Sequence, residues 1–182
     1  MALSHETVVY DVYDFKIYPL TADTAPSATY SAAIDVPGIT EVSMEPNFLT
    51  AELKGDSVTM AKKGQVDKVK LSATYGKVSL DVLAAVLGGT TTDATTVSST
   101  YSLAGATSLP YFKAGFYIKD LDLGIGALHC IVYKCQLTGG TLITGRNGEF
   151  GQPSMDLEGI PTSSNNKMMD VVFYNALTSL PA

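Results

Sequence analysis

The chain has 182 residues, 46% apolar and only 16% charged, a length that suits one domain, with arms, and a core that needs no staple. A surface so poor in charge leaves apolar area for other copies to cover, so self-association is expected. Acidic residues outnumber basic ones 18 to 12, Arg146 is the lone arginine, and the only lysine clusters are Lys62-Lys63 and Lys68/Lys70, which excludes tight or sequence-reading nucleic-acid binding.

In chain order, residues 1–12 read as an N-terminal arm that orders against a neighbour, with His5 and Glu6 ahead of the apolar Val8-Val9-Tyr10. The first firm strand is 13–18, with Tyr13, Phe15 and Ile17 on one face, and Pro19 ends it. A polar loop follows, and Asp35-Val36-Pro37-Gly38 is a turn signal. Strands 39–45 and 48–55, split by a turn at Pro46-Asn47, are predicted to pair as a hairpin. Val42 and Met44 oppose Glu41, Ser43 and Glu45 in the first; Leu49, Ala51 and Leu53 oppose Thr50, Glu52 and Lys54 in the second. A loop then runs from Gly55-Asp56 through Lys62-Lys63-Gly64.

Residues 68–75 alternate without a fault, Val69, Leu71, Ala73 and Tyr75 pointing one way. One helix is predicted, at about 79–88. Ser79 is its N-cap, with a hydroxyl able to accept from an early N–H, and Asp81 complements the dipole. Leu80, Leu83, Ala84 and Leu87 form an apolar stripe, and Gly88-Gly89 supply a left-handed stop. Such a helix should lie across an open end or face of a β-structure. Residues 90–109, rich in Thr and Ser, read as a flexible loop. Further β-segments are predicted at 111–122, 127–137, 141–144, 149–158 and 168–175, with a hairpin turn at Asn147-Gly148. The fold class is mainly β, an antiparallel sandwich or barrel with one short flanking helix.

No catalytic set emerges. His129 and Cys130 are adjacent, so on a strand they face opposite sides, and no metal-ligand spacing is present. Cys130 and Cys135, five apart, should also face opposite ways at ~16 Å, beyond the about 7 Å a disulfide allows; they read as packed, reduced thiols. Asp120 and Asp122 could contribute to a Ca²⁺ site but lack further oxygen ligands and read as a solvated strand end. The glycine pairs near 139 and 148 open no helix and have no Walker lysine, so they are turns. No metal, cofactor or enzymatic activity is expected. The N-terminus lacks a basic-then-apolar leader pattern, and no run approaches ~20 apolar residues, so synthesis as a soluble cytoplasmic protein is expected.

The segments IDVPGITEVSMEPNFLTAELKGDSVTM and KVKLSATYGKVSLDVLAAVLGGTTT, with Leu53-Lys54-Gly55-Asp56 and the helix at 79–89, resemble the major tail proteins (tail tube proteins) of long-tailed bacteriophages. GGTLITGRNGEFGQPSMDLEGI resembles that family's closing hairpin, and the likeness covers about residues 13–175. The resemblance implies a virion structural protein, assembled in the host cytoplasm, that forms stacked six-fold rings around a hollow channel. Its implied partners are further copies of itself, a tape-measure protein, and tail initiator and terminator proteins. The genome would pass through without specific binding, and no membrane is involved. On this footing Glu41, Glu45 and Glu52 are expected to face the lumen, where a negative surface keeps a polyanion moving. Asp56, Lys62, Lys63 and Tyr101, in the loops 56–65 and 90–109, are expected at contacts between subunits or rings. Rival readings are an Ig-like decoration or adhesion domain, which lacks its Cys…Trp…Cys signature here, and the tube component of a contractile injection system.

Overall fold

The computed structural model describes residues 9–55, 58–94, 97–105, 107–120, 127–145, 147–174 and 179–180. Of the expected arm 1–12, residues 9–12 are strand paired with Asp120, Lys119 and Ile118 instead, and 1–8, with Asp56, Asp122 and Arg146, lie outside the described residues. The chain is mainly antiparallel β with a short helix, as its alternation requires. The strands are β1 (Val9–Ala22), β2 (Thr29–Tyr30), β3 (Ile34–Asp35), β4 (Ile39–Gly55), β5 (Val58–Tyr75), β6 (Thr90–Ala94), β7 (Ser98–Ser102), β8 (Phe112–Asp120), β9 (Ala127–Gly139), β10 (Ser154–Gly159) and β11 (Met169–Tyr174). The helix α1 (Leu80–Leu87) follows β5. The main sheet runs β2-β1-β8-β9-β10-β5-β4, with β3 beside β1 and β11 beside β9, and does not close into a barrel; β6 and β7 form a separate pair.

One face of the main sheet builds the core. Phe15 and Ile17 of β1, Phe112 of β8, Leu71 of β5 and Leu157 of β10 meet Val82 and Val86 of α1 there. The helix buries Val82, Leu83, Ala85 and Val86, a face rotated from the expected Leu80/Leu83/Ala84/Leu87 stripe. Seven of its eight residues are apolar, so periodicity alone could not choose the face. Ser79 is the N-cap, but it works through its carbonyl, which accepts from Leu83 N–H at 3.1 Å; its side chain makes no capping bond. Gly88 and Gly89 do end the helix, at φ 78° and 92°. A Cβ on Gly89 would stand 2.5 Å from the Ser102 carbonyl, so the chain can turn back into β6 only through glycine.

Bulges account for most departures from simple alternation. Val12 pairs with Ile118 and Asp14 with Tyr117, so Tyr13 is an extra residue. It leaves the Phe15/Ile17 face and stacks on Tyr117 at 5.6 Å. On β9, Val132 pairs with Ala114 and Cys135 with Phe112, three steps against two. That extra residue returns Cys135 to the side of Cys130, so both thiols enter one core instead of facing apart. Both are free. Burial pushes Cys130 up to about 11 and Cys135 up to about 12. His129 does face away from Cys130; it is buried between the rings of Tyr117, at 5.5 Å, and Tyr174, at 4.5 Å.

Neither early proline acts as expected. β1 continues through Pro19 to Ala22 because neighbours carry the bonds: Leu20 N–H donates to Tyr111 at 2.9 Å, and the Pro19 carbonyl accepts from Ser31 at 2.8 Å. Pro46-Asn47 makes no turn. β4 is an edge strand, where a missing N–H is tolerated, and it runs unbroken for 17 residues. Its hairpin partner is β5, so residues 58–65 are strand instead of loop. Residues 90–109 likewise contain the β6–β7 hairpin, anchored by Tyr101, whose hydroxyl donates to the Gly88 carbonyl at 2.6 Å. Gly148 turns with φ 77°, but among the described residues it joins no two extended strands; Glu149 forms a lone bridge, 141–144 are not strand, and β10 begins only at Ser154.

The loops after β1 and β10 are tied by Asp23. Its carboxylate accepts from Lys134 at 2.7 Å and from the N–H groups of Ser163 and Ser164 at 2.9 and 3.0 Å. The Lys134 ammonium, then the backbone donors, hold that carboxyl well below the usual range.

Two outcomes follow from this packing. Leu157→Ala, at a side chain 1% exposed, should cost about 2–5 kcal/mol in urea unfolding, whereas Leu53→Ala, at 62% exposure, should change stability by less than about 0.5 kcal/mol. At pH 8 the native protein should leave both thiols unreacted toward a disulfide reagent on the time scale of minutes, and the unfolded chain should titrate both; rapid native labelling contradicts the burial.

Candidate functional site

Two surfaces have a chemical character that packing alone does not account for. The first is the outer face of the sheet, away from α1. Residues directly opposite in an antiparallel pair share a face. On β4 and β5 these are Ser43 with Ser72 and Glu45 with Lys70, and Glu41 lies beside Thr74. β10 adds Asp156 beside Ser72 and Glu158 beside Lys70. Ser72 Oγ donates to Asp156 at 2.5 Å, and Lys68 Nζ lies 2.8 Å from Glu158, whose carboxylate raises the lysine above its ordinary range. Carboxylates at 41, 45, 156 and 158 therefore outnumber the ammoniums at 68 and 70 on this face, and its potential is negative.

Glu52 is not part of it. Along an unbroken strand, parity sets the face, and 52 falls opposite to 41 and 45. Glu52 pairs with Lys62 instead, at 3.1 Å, with Lys54 at 4.0 Å. The expected three-glutamate face depended on a turn at Pro46-Asn47; without that turn the register splits the set. Asp156 and Glu158 take the place of Glu52. Their period-two spacing in SMDLEG was visible in the sequence, but their neighbours were not.

The second surface is the far half of the β4–β5 hairpin, 48–66. Pairing skips Asp67 between Asn47–Lys68 and Phe48–Val66, a bulge that marks where the hairpin leaves the sheet. Beyond it, Phe48, Val66, Thr50, Glu52 and Lys62 share one side; Leu49, Ala51, Leu53, Ala61 and Lys63 share the other. Leu49, Ala51 and Leu53 share a face as expected, but that face is open. Phe48 is 64% exposed and Met60 71%, so this ribbon carries apolar groups on a segment with no cover of its own. At its base, Pro46, Phe48, Val66 and Val69 line an apolar groove with Met168 and Met169.

Of the contact residues expected from sequence, Lys62 and Lys63 stand on opposite sides of this ribbon, and Asp56 lies outside the described residues. Tyr101 is used within the chain, on Gly88. Among the described residues, no group of three or more His, Cys, Asp or Glu side chains is placed to hold a metal ion. No helix of the described residues is long and apolar enough to cross a membrane.

No protein-family model matches the chain, and no curated protein matches it. Solved structures that match it include the following two. The anti-feeding prophage cap, described as the tube-terminating cap, is 12% identical over 97% of this chain and 95% of its own, with a TM-score of 0.45. A chain of the anti-feeding prophage baseplate, 6-fold symmetrised, is 11% identical over 94% and 97%, with a TM-score of 0.36. At such scores neither likeness carries a function to this chain.

Proposed function

We propose that this chain is an architectural subunit, not an enzyme, of a phage-tail-like tube, in a long-tailed phage or a contractile injection system. Copies assemble into rings, six-fold by the family resemblance, and the rings stack around a channel. The projecting hairpin 48–66 carries the contacts between copies, and the acid-rich face of β4, β5 and β10 turns toward the channel. One observation supports this most: a single hairpin is half core strand and half uncovered apolar ribbon. Such a ribbon is a liability on a monomer and becomes useful when another copy buries it. Contacts of a projecting element with a different surface are heterologous, and these propagate into rings and filaments.

In this reading, the partners are other copies, a tape-measure protein and end-capping tail proteins. DNA passes the negative face without adhering, because like charges repel and the face has no guanidinium groups to hold phosphate. The protein then resides in the tail of the particle.

Negative-stain electron microscopy of the concentrated protein should show rings or hollow tubes with a stain-filled channel; single small particles at every concentration would overturn the proposal. The double variant Leu49→Ser/Leu53→Ser should keep the wild-type urea midpoint within about 1 kcal/mol of stability yet form no tubes. Replacing Glu41, Glu45 and Glu158 by lysine should leave tubes intact while making them retain DNA at low salt, and the retention should vanish as salt rises. Variant tubes that ignore DNA as the wild type does would remove these residues from the channel.

A further inference from the structure

The connection between β9 and β10, residues 140–153, holds two large apolar side chains out in solvent on a braced frame. Its base is closed by the Ser154 N–H, which donates to the Thr141 carbonyl at 2.9 Å. Leu142 packs against the core, and its carbonyl accepts from the Tyr75 hydroxyl at 3.3 Å. Gly151 lies so close to Thr144 that a Cβ there would stand 2.3 Å from the carbonyl oxygen. On this frame Phe150 is 97% exposed and Ile143 69%. Covering a phenyl ring is favourable, and a braced segment has little freedom left to lose when it is covered.

The complementary feature is the groove at the base of the ribbon, lined by Pro46, Phe48, Val66, Val69, Met168 and Met169. Its volume is about 530 Å³, within the range of sites that enclose a whole small molecule, so an aromatic ring fits. Strand pairing explains the opening. β10 separates β5 from β9 as far as Gly159, opposite Val69 and Cys135. Beyond that level β5 continues into the ribbon, while β11 lies against β9 from Met169 onward and does not pair with β5. A notch remains between them. Gly139, opposite Asp156 beside the loop, and Val132, opposite Met169, are seven residues apart on β9, roughly 20 Å along the strand. Loop and notch therefore lie toward opposite ends of the sheet.

Charge follows the same division. The loop shares its end of the sheet with 34–41 and 76–88, because Tyr75 N–H donates to Pro153 and Gly76 N–H to Gly38. By sequence, these segments hold Asp35, Glu41, Asp81 and Glu149 against Lys77 and Arg146. The ribbon holds Lys54, Lys62 and Lys63 against Glu52 and Asp56, and Lys167, paired with Asp170, borders the notch. A net negative end and a net positive end attract head to tail and repel head to head.

We propose that Phe150 of one copy seats in the notch of the next, so that copies join head to tail along the strand direction. This inference rests on the architectural role proposed above and names one contact within it. Knob and notch are different surfaces of one chain, so the contact does not close on itself, and its repetition gives an axial stack.

The double variant Phe150→Cys/Met169→Cys tests this on the full chain. Within one copy the two positions are too far apart for a disulfide, which needs Cα atoms within about 7 Å. Mild oxidation should give a reducible ladder of dimers, trimers and longer chains on a denaturing gel, and each single variant should stop at dimers. The native thiols are buried and should add nothing. Phe150→Ser should keep the wild-type urea unfolding curve, while self-association read by sedimentation weakens about tenfold or more. A double variant that stops at dimers, or unimpaired association of Phe150→Ser, overturns the contact; wild-type tubes seen by microscopy would then leave the architectural role standing without it. A ladder in the absence of wild-type tubes would keep the head-to-tail contact and remove the tube.

Discussion

A helix of eight residues at ~1.5 Å per residue covers about 12 Å of whatever it lies on, while β4, with 17 residues at ~3.3 Å each, extends roughly 56 Å. This mismatch between sheet and cover governs the rest of the molecule. Where α1 packs, strands bury one face, and alternation holds except at the bulges on β1 and β9. Where it cannot reach, β4 and β5 continue as a ribbon whose large apolar side chains stay mostly exposed, Phe48 and Val66 alone bordering a groove with Met168 and Met169 at its base. Two strands alone are marginal in water. This ribbon stands because it continues a larger sheet, and its remaining apolar area is available to a partner.

The outer face follows the opposite rule. No described helix covers it, and its character changes along the sheet; over β8 and β9, Leu180 is buried with Tyr117 and Ala127. Across β4, β5 and β10 it is carboxylate-rich, with short hydrogen-bonded contacts such as Ser72 to Asp156. Across β1, β8 and β9 it is tyrosine-rich, with lysines laid over rings, as with Lys113 at 3.8 Å from the centre of Tyr18 and Lys119 at 5.2 Å from Tyr13. Lysines held on rings, or paired with Asp23 and Glu158, are poorly placed to grip a passing polyanion. The free negative charge lies on the other half. An assembly that turns that half inward would have a lumen suited to transit instead of binding.

Bulges decide which side chains reach which surface. One extra residue at Tyr13 sends its ring to the outer face; another on β9 brings Cys135 into the core; the skip at Asp67 marks the start of the ribbon. Each resets a period of two, and none has a composition signal of its own. The same holds for prolines. Pro46 looks like a turn until β4 is known to be an edge, where it costs little.

The sequence by itself determined the local elements. It gave the alternation of 68–75, the helix between Ser79 and Gly88, the glycine stop with its positive φ, the turn at Pro37-Gly38, and the excess of apolar over charged surface that points to association. These depend on neighbours within a few residues, where steric and hydrogen-bond rules act directly. Only the tertiary structure decided that Leu49 and Leu53 are open and Leu157 is closed, that α1 buries Val82 and Val86, and that Glu41 and Glu45 share a face with Asp156 and Glu158 but not with Glu52. Burial and register are properties of pairs far apart in the chain. A single bulge or an absent turn reverses a face without changing the local pattern, and so the surface on which assembly would depend was settled by strand pairing and not by any one segment.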